Sequence, residues 1–120
     1  MSWEGTEKRN FKRVYLSCRI IVYAPKEYAI DTVTNNISEG GVGFTLKEKL
    51  EVFSIVGLEI YNVTNRPIIC KGMIRWINEV ESSFHRGRFL FNTGIQFHEI
   101  KPKDKLAIIN LIAAIPSEQK

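Results

Sequence analysis

The chain has 120 residues, enough for one domain with a single core and too few for a multidomain protein. Hydrophobic residues make up 44% and charged residues 25%, which excludes a disordered or low-complexity chain. The net charge of +4 is a mild basic bias, compatible with a phosphate-bearing partner without naming one.

Residues 1–13 are polar and have no sustained period. Lys8, Arg9, Lys12 and Arg13 gather positive charge just before the first strand. The segment reads as a flexible N-terminal arm. Arg9 and Arg13, four apart with Phe11 between them, can turn two guanidinium groups toward one ligand. Guanidinium suits phosphate and the O6/N7 edge of guanine because it is a planar, two-pronged donor.

Residues 14–23 alternate, with Val14, Leu16, Cys18, Ile20 and Val22 on one face, so the segment reads as a half-buried strand. A turn at Pro25 leads to a second strand over 28–34, and the short connection favours antiparallel neighbours. Residues 35–44 hold three of the eight glycines. Taken alone, the stretch from Asn36 through Ser38 to Gly40 and Gly41 reads as a tight β-connection closed by its Asn and Ser. A third strand resumes over 42–46.

Residues 47–55 are a connection, 56–63 a strand, 68–80 a long strand and 89–98 the last strand. The charged patch 79–88 is a hairpin loop with His85 toward solvent. Several short strands separated by turn signals predict a barrel or sandwich. Trp76 alternates with Ile74 and reads as core packing, as do Tyr15, Tyr23 and Tyr28. Pro102 opens a helix over about 102–116. Leu106, Ile109, Ile112 and Ala113 form one apolar stripe, widened by Ile108, Leu111 and Ile115. A helix this apolar caps the barrel and leaves surface for a possible homodimer.

No apolar run approaches the ~18 residues of a membrane span, and residues 1–5 carry no signal-like apolar region. No membrane insertion is expected. Cys18 and Cys70 sit singly in strand-like runs and read as buried free thiols of a cytoplasmic protein. With His85 and His98 they give no zinc spacing. No Ser/His/Asp or Cys/His arrangement is present, and Asp31 and Glu39 read as turn and surface residues. The chain is therefore not expected to be an enzyme.

Two motifs stand on the correct sides of two strands. Arg9-Asn-Phe-Lys-Arg13 fits RxxxR, and Asn36-Ile-Ser38-Glu-Gly-Gly41 fits (D/N)xSxxG. In pairing, order and separation they resemble the PilZ domain, the bacterial receptor module for cyclic di-GMP. Gly72-Met-Ile-Arg-Trp76 is similar to the family's glycine-to-tryptophan strand, and Gly94-Ile-Gln-Phe97 to its closing strand. The likeness covers essentially the whole chain.

The resemblance implies a mainly β fold: a small, antiparallel, about six-stranded barrel with a C-terminal α-helix over residues 14–120, preceded by the arm. It implies a stand-alone receptor with no cofactor, in which Arg9, Arg13, Asn36, Ser38 and Gly41 bind cyclic di-GMP. Lys8 and Gly40 would act in support. Lys8 stands where a further Arg often precedes RxxxR, which bears on whether one ligand or an intercalated pair is held. Asn36 stands where Asp is frequent, and a neutral amide accepts more weakly than a carboxylate. Ligand binding is expected to order the arm and to signal to a downstream protein. Two rivals differ in class. One is a ligand-free scaffold of the same fold. The other is a barrel that binds single-stranded nucleic acid; of the receptor itself no DNA partner is expected.

Overall fold

The computed structural model describes residues 12–25 and 28–115. Seven strands and one helix follow in chain order: β1 (Arg13–Val14), β2 (Arg19–Tyr23), β3 (Ala29–Ser38), β4 (Gly41–Leu46), β5 (Ile55–Ile60), β6 (Ile68–Glu81), β7 (Phe89–Glu99) and α1 (Pro102–Ala114). Every strand pair is antiparallel. The sheet runs β3-β2-β5-β6-β7-β4, and β4 pairs back onto β3. The result is a closed six-stranded barrel, with β1 as an extra strand on β3. Closure satisfies the edges that an open sheet would leave bare. The predicted fold class is thus the observed one.

The alternating pattern fills the barrel. Ile20, Val22, Phe44, Val56, Leu58, Ile60, Ile68 and Ile74 are all at most 1% exposed. The first predicted strand keeps its alternation but is not continuous. Residues 15–18 face residues 34–36, so one extra residue is bulged out between β1 and β2. Thr34 fills that gap. Its buried hydroxyl accepts from the Cys18 N–H at 2.9 Å and donates to the Leu16 carbonyl at 2.6 Å. A buried hydroxyl so satisfied carries no desolvation penalty for an unmade bond.

Among the described residues both cysteines are buried and free. Burial pushes the Cys70 thiol up to about 12, with the negative charge of Asp104 adding to it. No thiolate is present there at neutral pH, which makes Cys70 a packing residue.

Helix α1 closes one end of the barrel, with Ile108 and Ile112 buried and Ile115 against the core. This corrects the predicted stripe. Leu106 is 55% exposed and Ala113 is exposed, so the core face is rotated toward Ile108, Ile112 and Ile115. A helix apolar on several sides does not by itself say which side is inward.

The last turn of α1 has no basic residue of its own. Lys12 supplies one from the other end of the chain. Its ammonium donates to the carbonyls of Ile115 at 3.1 Å and Ile112 at 3.4 Å. A cation at a helix C-terminus contributes about 0.3–1 kcal/mol. Lys12→Met is therefore expected to lower Tm by a few degrees. An unchanged melting curve would show that the contact carries no stability.

Candidate functional site

Two β-bulges decide which side chains reach the outer face of the barrel. The register between β3 and β4 shifts between Thr34 and Asn36. Thr34 and Ile37 point inward and are buried, so Asn35 and Asn36 both face out. The register between β6 and β7 shifts between Ile74 and Trp76. Ile74 is fully buried, while Arg75 and Trp76 both lie outside. Bulges re-aim side chains in this way, and they concentrate beside functional sites.

The second bulge overturns one expectation. Trp76 does not share the core face with Ile74. It is 49% exposed and lies over Gly94, where a Cβ would come within 2.3 Å of its indole. Strict alternation, carried across the extra residue, assigns the wrong face. The three tyrosines expected in the core are also exposed. Tyr23 donates to Glu59 at 2.8 Å, which raises the pKa of its phenol.

The Asn-to-Gly stretch is also less of a turn than expected. Asn36, Ile37 and Ser38 belong to β3, and Gly41 already belongs to β4. Only Glu39 and Gly40 make the hairpin connection. Ser38 does close it, as its hydroxyl accepts from the Gly40 N–H at 3.2 Å. Asn36 has no part in that closure. Its amide lies over Gly43, where a Cβ would meet it at 3.1 Å. Among the described residues it makes no side-chain hydrogen bond, and its carbonyl is free to accept from a ligand.

Arg13 opens β1 and pairs directly with Ser38. The strand therefore starts one residue earlier than the sequence predicts. This register brings the second arginine of RxxxR beside Asn36 and Ser38 on the same outer face. Arg9 and Lys8 lie outside the described residues.

Arg13, Asn36, Ser38, Gly40 and Gly41 line one open cleft of about 1680 Å³, together with Trp76 and the strand-paired glycines Gly43 and Gly94. The two glycines remove side chains between Asn36 and Trp76, and the Asn36 amide and the Trp76 indole lie over them to form the floor. Sequence reasoning missed much of the cationic rim: Lys71, Arg75, Lys101 and Lys105 stand around the cleft, against Glu39, Glu59 and Glu99. Excess positive charge around a concave surface attracts anions. Arg75 is steadied by donating to Gln96 at 2.7 Å. The arrangement offers forked cations, a carbonyl acceptor and an aromatic plane around one floor. Among the described residues no His/Cys/Asp/Glu group is placed to hold a metal ion, and no helix is long and apolar enough to cross a membrane.

The family model described as PilZ domain matches residues 7–114. No curated protein sequence matches the chain. Among solved structures, the inhibitor of motility MotI/DgrA of Bacillus subtilis superposes with a TM-score of 0.72 at 18% identity, covering 88% of this chain and 50% of that one. The PilZ domain of YcgR from Escherichia coli, solved with c-di-GMP, gives 0.70 at 13% identity, covering 89% of this chain and 90% of that one. The K. pneumonia MrkH–c-di-GMP complex gives 0.70 at 13% identity, covering 88% of this chain and 51% of that one. The chain thus spans about half the length of the Bacillus and Klebsiella proteins.

Proposed function

The chain belongs to the PilZ domain family, and on that premise we propose that it is a receptor for cyclic di-GMP rather than an enzyme. The observation that carries this reading is the direct strand pairing of Arg13 with Ser38. It joins the end of RxxxR to the (D/N)xSxxG segment on one face of the barrel.

In this reading Arg13, with Arg9 from the arm, binds phosphate and the O6/N7 edge of a guanine. The Asn36 carbonyl accepts from guanine N–H groups, and the Ser38 hydroxyl adds a further contact. Gly40 and Gly41 let the ligand approach the backbone. Trp76 provides a stacking plane. Lys8 contributes charge without a planar fork, which bears on whether one ligand or an intercalated pair is held. The protein works in the cytoplasm and needs no cofactor.

The signal is conformational. The ligand draws the arm that precedes Lys12 onto the barrel, to which Lys12 and Arg13 are already joined, and the changed surface is read by a partner protein. Lys12 gives that event a route to α1, since it sits between the ligand-binding arginines and holds the helix end. The exposed Leu106 and Ala113 offer an apolar stripe to a second copy, which makes a homodimer part of the reading.

Calorimetric titration with cyclic di-GMP tests the receptor. Heat saturating with cyclic di-GMP, and not with GTP or cyclic GMP, is the expected result. A folded protein giving no heat sinks the reading and leaves the scaffold. Steeply salt-dependent binding of any single strand would indicate the nucleic-acid barrel. Amides 5–14 should exchange more slowly with ligand bound; identical exchange would remove the ordering step.

A further inference from the structure

The β6–β7 hairpin outruns the barrel. β5 accompanies β6 only as far as Met73, with Ser54 reaching Ile74, and β4 accompanies β7 only over residues 91–96. Past Trp76, residues 77–81 of β6 have no strand neighbour but β7 among the described residues. Five residues at about 3.4 Å each carry the connecting loop about 17 Å beyond Trp76. The loop residues do not line the ligand cleft.

This loop, residues 82–88, is held by its own hydrogen bonds and keeps an aromatic in water. The Ser82 hydroxyl accepts from the N–H groups of Phe84 at 3.1 Å and His85 at 3.3 Å. The Ser82 N–H donates to the Arg88 carbonyl at 2.7 Å, and the Arg88 N–H donates to the His85 carbonyl at 3.1 Å. The Glu81 carboxylate accepts from the Gly87 N–H at 2.8 Å. Gly87 has a φ of 82°, which glycine adopts without steric penalty. On this backbone Phe84 is 88% exposed, more than any other large apolar side chain among the described residues. Phe89, where the loop ends, is 47% exposed.

Apolar residues scattered singly over a surface need no explanation. Phe84 differs in its company. Arg86 and Arg88 are exposed beside it, and neither joins a salt bridge among the described residues. Aromatic residues and arginine are enriched at the centres of protein interfaces. A loop already ordered also loses less freedom on binding.

Charge selects the occupant. Two cations beside an apolar anchor match carboxylates beside apolar side chains. A second copy docking tip to tip across a two-fold axis would set Arg86 and Arg88 against their like. Anionic lipid is read by clusters of about four to eight basic residues, and this loop has two arginines. A nucleic-acid strand would run its phosphates along the ribbon, where the exposed Glu79 and Glu81 oppose them.

We propose that the 82–88 loop is a docking tip for an acidic segment of a partner protein, whose apolar side chains pack on Phe84 and whose carboxylates pair with Arg86 and Arg88. The proposal rests on the receptor reading for its need of a downstream protein, and it adds the surface and the chemistry of that protein. Because the tip stands apart from the cleft, ligand and partner are held together without competing.

The test pans random peptides displayed on phage against wild-type protein, then titrates the selected peptides on wild type, Phe84→Ser and the double variant Arg86→Glu/Arg88→Glu. The altered side chains make no hydrogen bond among the described residues, and melting curves confirm folding. Selected peptides should combine Asp or Glu with aromatic or aliphatic residues. Each variant should weaken them by about 10-fold or more. Cyclic di-GMP affinity should stay within about twofold, since the two sites share no residue. Selected peptides without an acidic excess, or acidic peptides that bind both folded variants as well as wild type, overturn the proposal. So does a wild type that selects no peptide but binds phosphatidylglycerol vesicles or oligo(dT), or that forms a dimer lost in Phe84→Ser. A wild type that selects acidic peptides through this tip and binds no cyclic di-GMP overturns the receptor reading and leaves the docking tip standing.

Discussion

Arg13→Ala is expected to weaken cyclic di-GMP binding by about 100-fold, the loss of a bidentate guanine or phosphate contact of roughly 1–3 kcal/mol. The melting temperature should stay within a degree or two of wild type. Arg13 is exposed, and its strand pairing with Ser38 uses backbone groups that alanine also has. Among the described residues its side chain enters no ion pair, so the fold does not depend on its charge. Arg13→Lys separates charge from geometry. Lysine keeps the positive charge and loses the planar fork. An intermediate loss of about 10-fold would show that both count. If Arg13→Ala bound as tightly as wild type, the ligand would not lie beside Ser38, and the proposed site would be wrong. Isothermal titration at fixed ionic strength decides this, since part of the attraction is screened by salt.

Local pattern made the barrel legible. Period-2 alternation in 42–46 and 89–98 and the change of period at Pro102 are one-dimensional signals, and each became the element predicted, whereas the alternating run 14–23 became two strands, β1 and β2, on either side of a bulge. The site was half legible for the same reason. RxxxR and (D/N)xSxxG are short strings, and the sequence alone places them on either side of two strands. What it does not carry is register. The extra residue between β1 and β2 brings Arg13 opposite Ser38, and the one between Ile74 and Trp76 turns the indole outward. A bulge is a cross-strand misfit, and nothing in residues 72–77 alone marks it. The paired Gly43 and Gly94 were the available signal. Two glycines on neighbouring strands leave room that a large side chain must cover, and Trp76 does so.

The glycines also separate fold from function in a way that experiment can read. A Cβ on Gly41 would lie 1.9 Å from the Ile95 carbonyl oxygen. That oxygen belongs to the backbone of β7, so relief requires β4 and β7 to move apart. The φ of Gly41 is not in the left-handed region, so the clash comes from packing rather than from backbone preference. Gly41→Ala is therefore expected near the upper end of overpacking costs, about 3 kcal/mol. For a domain of this size that is a fall in Tm of about 10–15 °C. Gly94→Ala meets a different obstacle, since its nearest neighbours are the indole atoms of Trp76 at 2.3 Å. An exposed side chain can swing aside, so the stability loss should be only about 1 kcal/mol. The displaced indole should instead cost ligand affinity, by about 10-fold if stacking on one base is lost. Tryptophan fluorescence in a Trp3→Phe background would follow the displacement directly. Equal losses of stability in the two variants would mean that Trp76 is as fixed as the strand beside it. A Gly94→Ala protein with shifted fluorescence and unchanged affinity would take Trp76 out of the site.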